Sequence, residues 1–511
     1  MKKYGKLLLT AFAVYIVLLV LLVAAEGRSP DASIRSFWDA IWFSLITMTT
    51  VGYGDLSPVT PLGRVLGLIF AFCSIGILAA LIGIGLSLIR SAFLPRLRLR
   101  LGRKQPWYAF SVENGDSVSL AAALRASDSG CLLIFPEGEK LFSDPNAVRM
   151  DFDPATLVRL RGGKDGLSLF FMGAEPWDNY TQALDAAENG IRSFCMADIR
   201  AEKLPPLLQL FSPMEVMSRS YWKEHPLTSD EKRIVLIGCG AAGSALLERA
   251  LLTNVFVRGR ATEYHVFGDT AGFEALHPEL VAALSDGPAG SDRLFFHSEP
   301  WIEDPALLQK ADRILLCMDE DDENLRACEQ LGNWFVVKGK VHVRLSRTLP
   351  GICSFGSRDD CFAPEFVIKD ELNRRAILMN DIYNEGSPNP VAWKDLSPFL
   401  RQSNIAAADH LIVKARYLLG DETLTELTDS VCQSAYERFR ELYPQDPDLF
   451  QELEHRRWVR FHQMYNWKYA PQRNNAMRRH HLILPYEELS ETEQRKDAYA
   501  WEMLGRLSSA E

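Results

Sequence analysis

Two long apolar runs bracket a glycine-alternating pentapeptide near the start of this 511-residue chain, and that arrangement restricts its fold more than any other feature. The first run, Leu7 to Ala25, carries no charge, and the second extends from about Val65 to Ile89 with only small polar interruptions. About 20 apolar residues cross a bilayer as a helix. Between the runs, Phe37 to Phe43 reads as a short re-entrant helix leading into Thr49 to Asp55. Irregular backbone at membrane depth is tolerated only where protein buries it or where it lines water. In Thr50-Val51-Gly52-Tyr53-Gly54, the two glycines have no Cβ and accept unusual backbone angles cheaply. Alternating such angles lets rings of carbonyl oxygens replace the water shell of a dehydrated cation. Thr50 is placed to add a hydroxyl ring at the inner mouth, and Tyr53 to brace the run from behind.

Lys2, Lys3 and Lys6 precede the first run, and Arg90, Arg96, Arg98, Arg100, Arg103 and Lys104 follow the second, which puts both termini on the cytoplasmic side. The start also has the form of a signal peptide, with Val23-Ala24-Ala25 as a small-residue cleavage site, but the pore that follows needs an outer helix. The segment Ser36 to Pro58 resembles the P-loop of potassium channels. That resemblance implies potassium ions in a filter formed by Thr50, Val51, Gly52, Tyr53 and Gly54. It also implies a homotetramer in the lipid bilayer of the plasma (inner) membrane, multi-pass, with one chain supplying a quarter of the ring. Gly76 is the best placed of the inner-helix glycines to be a gating hinge; small residues also serve ordinary helix packing, and both readings stand.

The membrane part occupies only about the first 90 residues. The net charge of −10 argues against nucleic acid as a partner. Nine scattered cysteines with no C-x-x-C pair argue against a disulfide framework and against a structural metal. No Ser-His-Asp order, metal-spaced histidine cluster or Walker lysine is present, so no catalytic residue and no enzyme is expected.

Ile234 to Leu246 reads as strand, glycine turn and helix, with Gly238, Gly240 and Gly243 forming G-x-G-x-x-G in its required context. Such a turn lets a phosphate approach a helix N-terminus, and Asp269, after the strand Thr262 to Phe267, suits ribose hydroxyls. A structural role for the glycines alone is the other reading. Further strands are expected at Arg293 to Phe296, Arg313 to Cys317 and Trp334 to Val337. Strands alternating with helices imply a parallel, doubly wound sheet. The acidic run Asp319 to Glu323 reads as a solvated loop rather than a cation site. An earlier segment, with strands at Trp107 to Val112, Cys131 to Phe135, Leu167 to Met172 and Ile191 to Met196, repeats the pattern but keeps only Gly115. No dinucleotide is expected there.

Two such units behind a two-span pore resemble the tandem RCK (regulator of K⁺ conductance) arrangement. Glu454 to Pro471, followed by His481 to Leu489 and Lys496-Asp497, resembles the RyR domain, the repeat first named for ryanodine receptors. There Trp458, Trp467 and Tyr469 are candidates to stack a planar base, and Arg401, Arg456 or Arg457 to meet phosphate; a small aromatic core is the alternative. The expected fold is an all-α membrane pore, cytoplasmic α/β Rossmann-like RCK domains and a mainly helical RyR-like module. The expected boundaries are 1–95, 96–225, 226–350 and 366–511. The expected function is a ligand-gated potassium channel whose small-molecule ligand is a nucleotide or dinucleotide (NAD, ATP/ADP or a cyclic nucleotide). The rivals are a nucleotide-activated membrane effector in stress or phage defence and a membrane-tethered nucleotide-dependent enzyme.

Overall fold

The computed structural model describes residues 2–89, 93–138, 140–199, 201, 203–287, 290–385 and 387–508, with side chains not described at 2–11, 73–81, 84, 85, 87 and 88. The chain divides into two compact units, Met1–Gly102 and Arg103–Glu511.

In the first unit, helix α1 (Lys2–Glu26) and helix α3 (Pro61–Leu88) flank helix α2 (Phe37–Met48), and a short helix α4 (Leu94–Leu101) follows. Among the described residues, no helix is long and apolar enough to cross a membrane. Leu19, Leu22, Phe43, Leu66 and Phe70 form the core between the three longer helices, and the Tyr15 hydroxyl meets Ser44 Oγ at 2.7 Å. Helix α3 runs unbroken through Gly76, the expected hinge, whose surroundings lie outside the described residues.

The second unit holds two six-stranded, fully parallel sheets. The first contains β1 (Trp107–Phe110), β2 (Leu132–Phe135), β3 (Val148–Arg149), β4 (Leu167–Phe171), β5 (Arg192–Met196) and β6 (Leu208–Phe211), ordered β3-β2-β1-β4-β5-β6. Its helices are α5 (Gly115–Ser127), α6 (Pro154–Arg161), α7 (Pro176–Glu188) and α8 (Pro213–Glu224), the last of which leads into the second sheet. That sheet contains β7 (Arg233–Ile237), β8 (Glu263–Phe267), β9 (Arg293–His297), β10 (Arg313–Leu316), β11 (Lys340–Arg344) and β12 (Ser354–Phe355), ordered β12-β11-β10-β7-β8-β9. Helix α9 (Ala241–Thr253) follows β7. Both orders are the 3-2-1-4-5-6 pattern of doubly wound sheets, whose crevice opens where the order reverses.

One expected strand is corrected. Trp334 ends the helix Asp321–Trp334, and the strand is Lys340–Arg344. The apolar run at Trp334 to Val337 closes an amphipathic helix, whereas the next strand pairs with β10 despite its charged ends. The C-terminal segment is mainly helical, with Arg374–Asn384, Pro398–Leu419, Asp429–Leu442, Pro447–Met464 and Tyr499–Leu507 as its longer helices. One continuous buried cluster joins these helices to both sheets, through residues such as Phe194, Leu246, Leu411 and Phe461.

Candidate functional site

Helix α2 starts at a reciprocal cap. Ser36 Oγ accepts from the Asp39 amide at 3.1 Å, and the Asp39 carboxylate accepts from the Ser36 amide at 2.8 Å. At its other end the amides of Val51 and Gly52 both donate to Ile46 O, at 3.0 and 3.1 Å, which turns the chain sharply out of the helix. The backbone then alternates: φ is +62° at Thr50, +54° at Gly52 and +75° at Gly54. This is the alternation expected of a carbonyl-lined path, with one difference. Thr50, a β-branched residue, takes a left-handed conformation that sequence assigned only to the glycines. The expected inner-mouth hydroxyl, Thr50 Oγ1, donates to Thr49 O at 2.7 Å.

Tyr53 stacks on Trp42 with ring centroids 6.3 Å apart and planes 9° apart, and Trp42 Nε1 donates to Asp55 Oδ2 at 2.9 Å. Behind the run, the buried Glu26 carboxylate accepts from the Val59 and Thr60 amides, both at 3.0 Å, and from Thr60 Oγ1 at 2.6 Å. Gly63 makes this possible, since a Cβ there would fall 1.9 Å from Glu26 Oε1. Neither Asp55 nor Glu26 carries a role in the sequence reading; a buried acid at a helix end is visible only once its partners are.

In the second sheet the glycines of the 238–243 turn divide their work. A Cβ on Gly238 would meet Met318 N at 2.6 Å, and one on Gly243 would meet Gly238 O at 2.0 Å. Those two glycines permit the turn and the close helix–strand packing. Gly240 faces Asp319, whose carboxylate accepts from the amides of Ala241 at 3.2 Å and Ala242 at 3.0 Å. The chain's own carboxylate therefore occupies the helix N-terminus where a phosphate is expected. Asp269 is exposed and accepts from the Ala271 amide at 3.2 Å. In the acidic run Asp319, Glu320, Asp322 and Glu323 are exposed, in keeping with a solvated run, while Asp321 accepts from the Ser346 amide at 3.0 Å and pairs with Arg344 at 3.6 Å. In the first sheet, Arg358 covers Gly115 and donates to Asp116 Oδ1 at 2.8 Å.

The C-terminal candidates separate. Trp467 is 6% exposed and packs at 5.5 Å against both Phe399 and His462. Base stacking on Trp467 is closed in this conformation, because the ring is part of the core. Trp458 lies half-buried against His462, with centroids 3.8 Å apart. Tyr469 is exposed, in a two-residue strand pair with Arg479–His480. Arg457 is not free for phosphate: buried, it donates to Glu454 at 2.6–3.0 Å, and Lys414 Nζ meets the same carboxylate at 2.8 Å. Burial raises the Glu454 pKa, but Arg457 and Lys414 outweigh that and hold it well below the usual carboxylate range. Arg456 donates to Phe256 O at 3.0 Å.

Arg401 sits elsewhere, in a cleft of about 370 Å³ between β6, α8, α9 and the helix Pro398–Leu419, where it donates to Ala201 O at 2.8 Å. Trp393, Lys394, Tyr465, Arg249 and Asp370 share that lining. Arg219 and Arg249 converge on Asp409, at 2.8 and 2.9 Å. Asp370 holds φ +54°, and burial pushes its carboxyl up to about 6 against the opposing pull of Asn373 and Arg219. The cleft thus combines aromatic rings with cationic groups, and nothing in the local sequence announces it because five distant stretches, from Ala197 to Tyr465, build it. Folding also assembles His225, His342 and Cys353, a metal-type donor group that no spacing in the sequence announces.

Residues 4–91 match a family model described as an ion channel. The chain is 43% identical over 84 residues to a voltage-gated potassium channel of Aeropyrum pernix, covering 16% of this chain and 26% of that relative. It is 46% identical over 50 residues to the calcium-gated potassium channel TvoK of Thermoplasma volcanium, covering 10% of this chain and 14% of the relative. Potassium voltage-gated channel subfamily A member 10 of Mus musculus is 35% identical over 75 residues, 15% of each chain. The chain thus spans about a quarter or less of the length of these relatives. Solved structures of the GsuK channel align over 72–73% of this chain, one bound to ADP at TM-score 0.36 and 14% identity, one bound to NAD at 0.32 and 12%. At those TM-scores the likeness carries no argument. The N-terminal part is therefore similar to potassium channels.

Proposed function

We propose that four copies of this chain form a potassium-selective pore in the plasma membrane, opened or closed by a small anionic molecule bound on the cytoplasmic side. The backbone alternation at Thr50, Gly52 and Gly54 carries the reading, together with the ion-channel match over residues 4–91. The surface of the first unit agrees with a lipid setting: Phe12, Val17, Val20, Leu68 and Phe72 are all exposed. The filter is Thr50 to Gly54, Gly76 is the hinge, and K⁺ is the cargo.

In this reading the two parallel sheets are RCK-like regulatory units and the C-terminal helices are an RyR-like sensor. The ligand occupies the cleft at Arg401, with its anionic group on Arg401 or Lys394 and its flat part against Trp393 or Tyr465. A phosphate at the Gly238–Gly243 turn, with ribose at Asp269, requires Asp319 to swing out first. A ligand drives gating only if it binds one state of the assembly more tightly than the other. Purified protein in liposomes tests the pore: flux should follow a K⁺ gradient, be blocked by barium, and exclude Na⁺. Calorimetry with adenine nucleotides and dinucleotides, on wild type and Arg401→Ala, tests the cleft.

A further inference from the structure

Three donor side chains far apart in the sequence meet at the end of α8. His225 caps that helix, His342 lies in β11, and Cys353 precedes β12. Their ligating atoms all lie within 4.8 Å of one another. We infer that His225, His342 and Cys353 bind a zinc-class divalent cation. Two imidazoles and a thiolate are donors for a thiophilic ion, not for Mg²⁺ or Ca²⁺. Zinc bonds of about 2.0–2.3 Å place tetrahedral ligands roughly 3.3–3.8 Å apart, so side-chain rotations of about 1 Å close the group.

His342 is already oriented. Its Nδ1 shares a hydrogen bond of 3.0 Å with the Tyr221 hydroxyl, which leaves Nε2 for the ion. The two imidazole rings stand 4.8 Å apart and nearly perpendicular, at 81°. Cys353 is exposed, and a cleft of about 250 Å³ lined by Tyr221, His225 and Ser354 opens beside the group, giving an ion its way in. Glu231 serves two cations there, Arg313 at 2.7 Å and Lys340 at 3.2 Å, so the surroundings stay positive. The Cys353 thiolate is accordingly the anion on which binding depends, and water completes the fourth position. Because α8 links β6 to β7, the ion would pin the link between the sheets to the β11–β12 edge.

The test uses full-length protein stripped with a chelator and titrated first with Co²⁺, then with Zn²⁺. Wild type should develop a thiolate-to-cobalt charge-transfer band that saturates at one ion per chain and is displaced by Zn²⁺. Cys353→Ser, at an exposed position that folding does not need, should lose the band. Tyr221→Phe keeps all three donors and should weaken binding about 10–100-fold through misorientation of His342. Zn²⁺ should raise the Tm of wild type and not of Cys353→Ser. The proposal is overturned if wild type shows no such band, or if Cys353→Ser binds Co²⁺ with unchanged affinity and stoichiometry.

Discussion

The carboxylate of Asp319 lies where a side chain on Gly240 would have to go, its Oδ2 only 2.0 Å from the position of a Cβ. It caps α9 through the Ala241 and Ala242 amides and so stands in for the phosphate that a G-x-G-x-x-G turn invites. Asp319→Ala should cost about 1–2 kcal/mol of stability, the usual loss of an N-cap. It should also expose the helix N-terminus and tighten ADP binding at this turn relative to wild type. Calorimetry on the two proteins decides the matter: equal affinity, or none in either, would leave the glycines with a structural role only.

Gly63 should be intolerant of any side chain. Gly63→Ala places a Cβ 1.9 Å from Glu26 Oε1 and displaces a buried carboxylate that holds Val59 and Thr60. Bonds to a charged acceptor are worth about 1.5–3 kcal/mol each, so the variant should lose roughly 3 kcal/mol. Thermal unfolding in detergent should show a clearly lowered Tm, and an unchanged Tm would mean the carboxylate relocates freely.

Much of the pore was legible before folding because its chemistry is local. The glycine spacing and the flanking apolar runs all fall within the first 90 or so residues, whereas the stacking of Trp42 on Tyr53 shows only in the structure. The strands of both sheets were legible as short apolar runs. Val148–Arg149 and Ser354–Phe355 were not, being two-residue edge pairings, nor was the four-residue edge strand Leu208–Phe211. Trp334 to Val337 misled because a helix end and a buried strand look alike in so short a window. Where the ligand-site candidates would lie was not legible, for a physical reason. Aromatic residues report that a ring is wanted, not which side faces solvent, and Trp467 went to the core while Arg401 went to a cleft.

That division yields a contrast between two substitutions. Trp467→Ala removes a buried ring and should cost about 3–5 kcal/mol, lowering the Tm whatever the ligand does. Arg401→Ala gives up one hydrogen bond, to Ala201 O, and should leave the Tm nearly unchanged while weakening adenine nucleotide binding. Equal nucleotide affinity in Arg401→Ala and wild type would move the site out of this cleft.

Asp370 should make stability pH-dependent in an unusual direction. Its folded pKa, about 6, lies above the ordinary 3.8, so the folded state favours the protonated acid. The stability it contributes is fully present below about pH 4 and is lost as pH rises through about 6. Asp370→Asn, whose amide tolerates the +54° φ, should match wild type at low pH and exceed its Tm at neutral pH. A Tm difference that does not grow with pH across that window would contradict the assignment.

The central claim is that Thr50 to Gly54 conduct potassium selectively, and flux through reconstituted protein tests it most directly. Wild-type liposomes should take up K⁺ along its gradient, be blocked by barium and exclude Na⁺. Gly52→Ala should still assemble but conduct nothing, because a Cβ at φ +54° costs about 1–2 kcal/mol in each copy and distorts the carbonyl ring. Within one chain nothing lies within 4 Å of that Cβ, so backbone strain is the cause rather than a clash in the same chain. Equal passage of Na⁺ and K⁺ by wild type, or undiminished selective flux through Gly52→Ala, would contradict it.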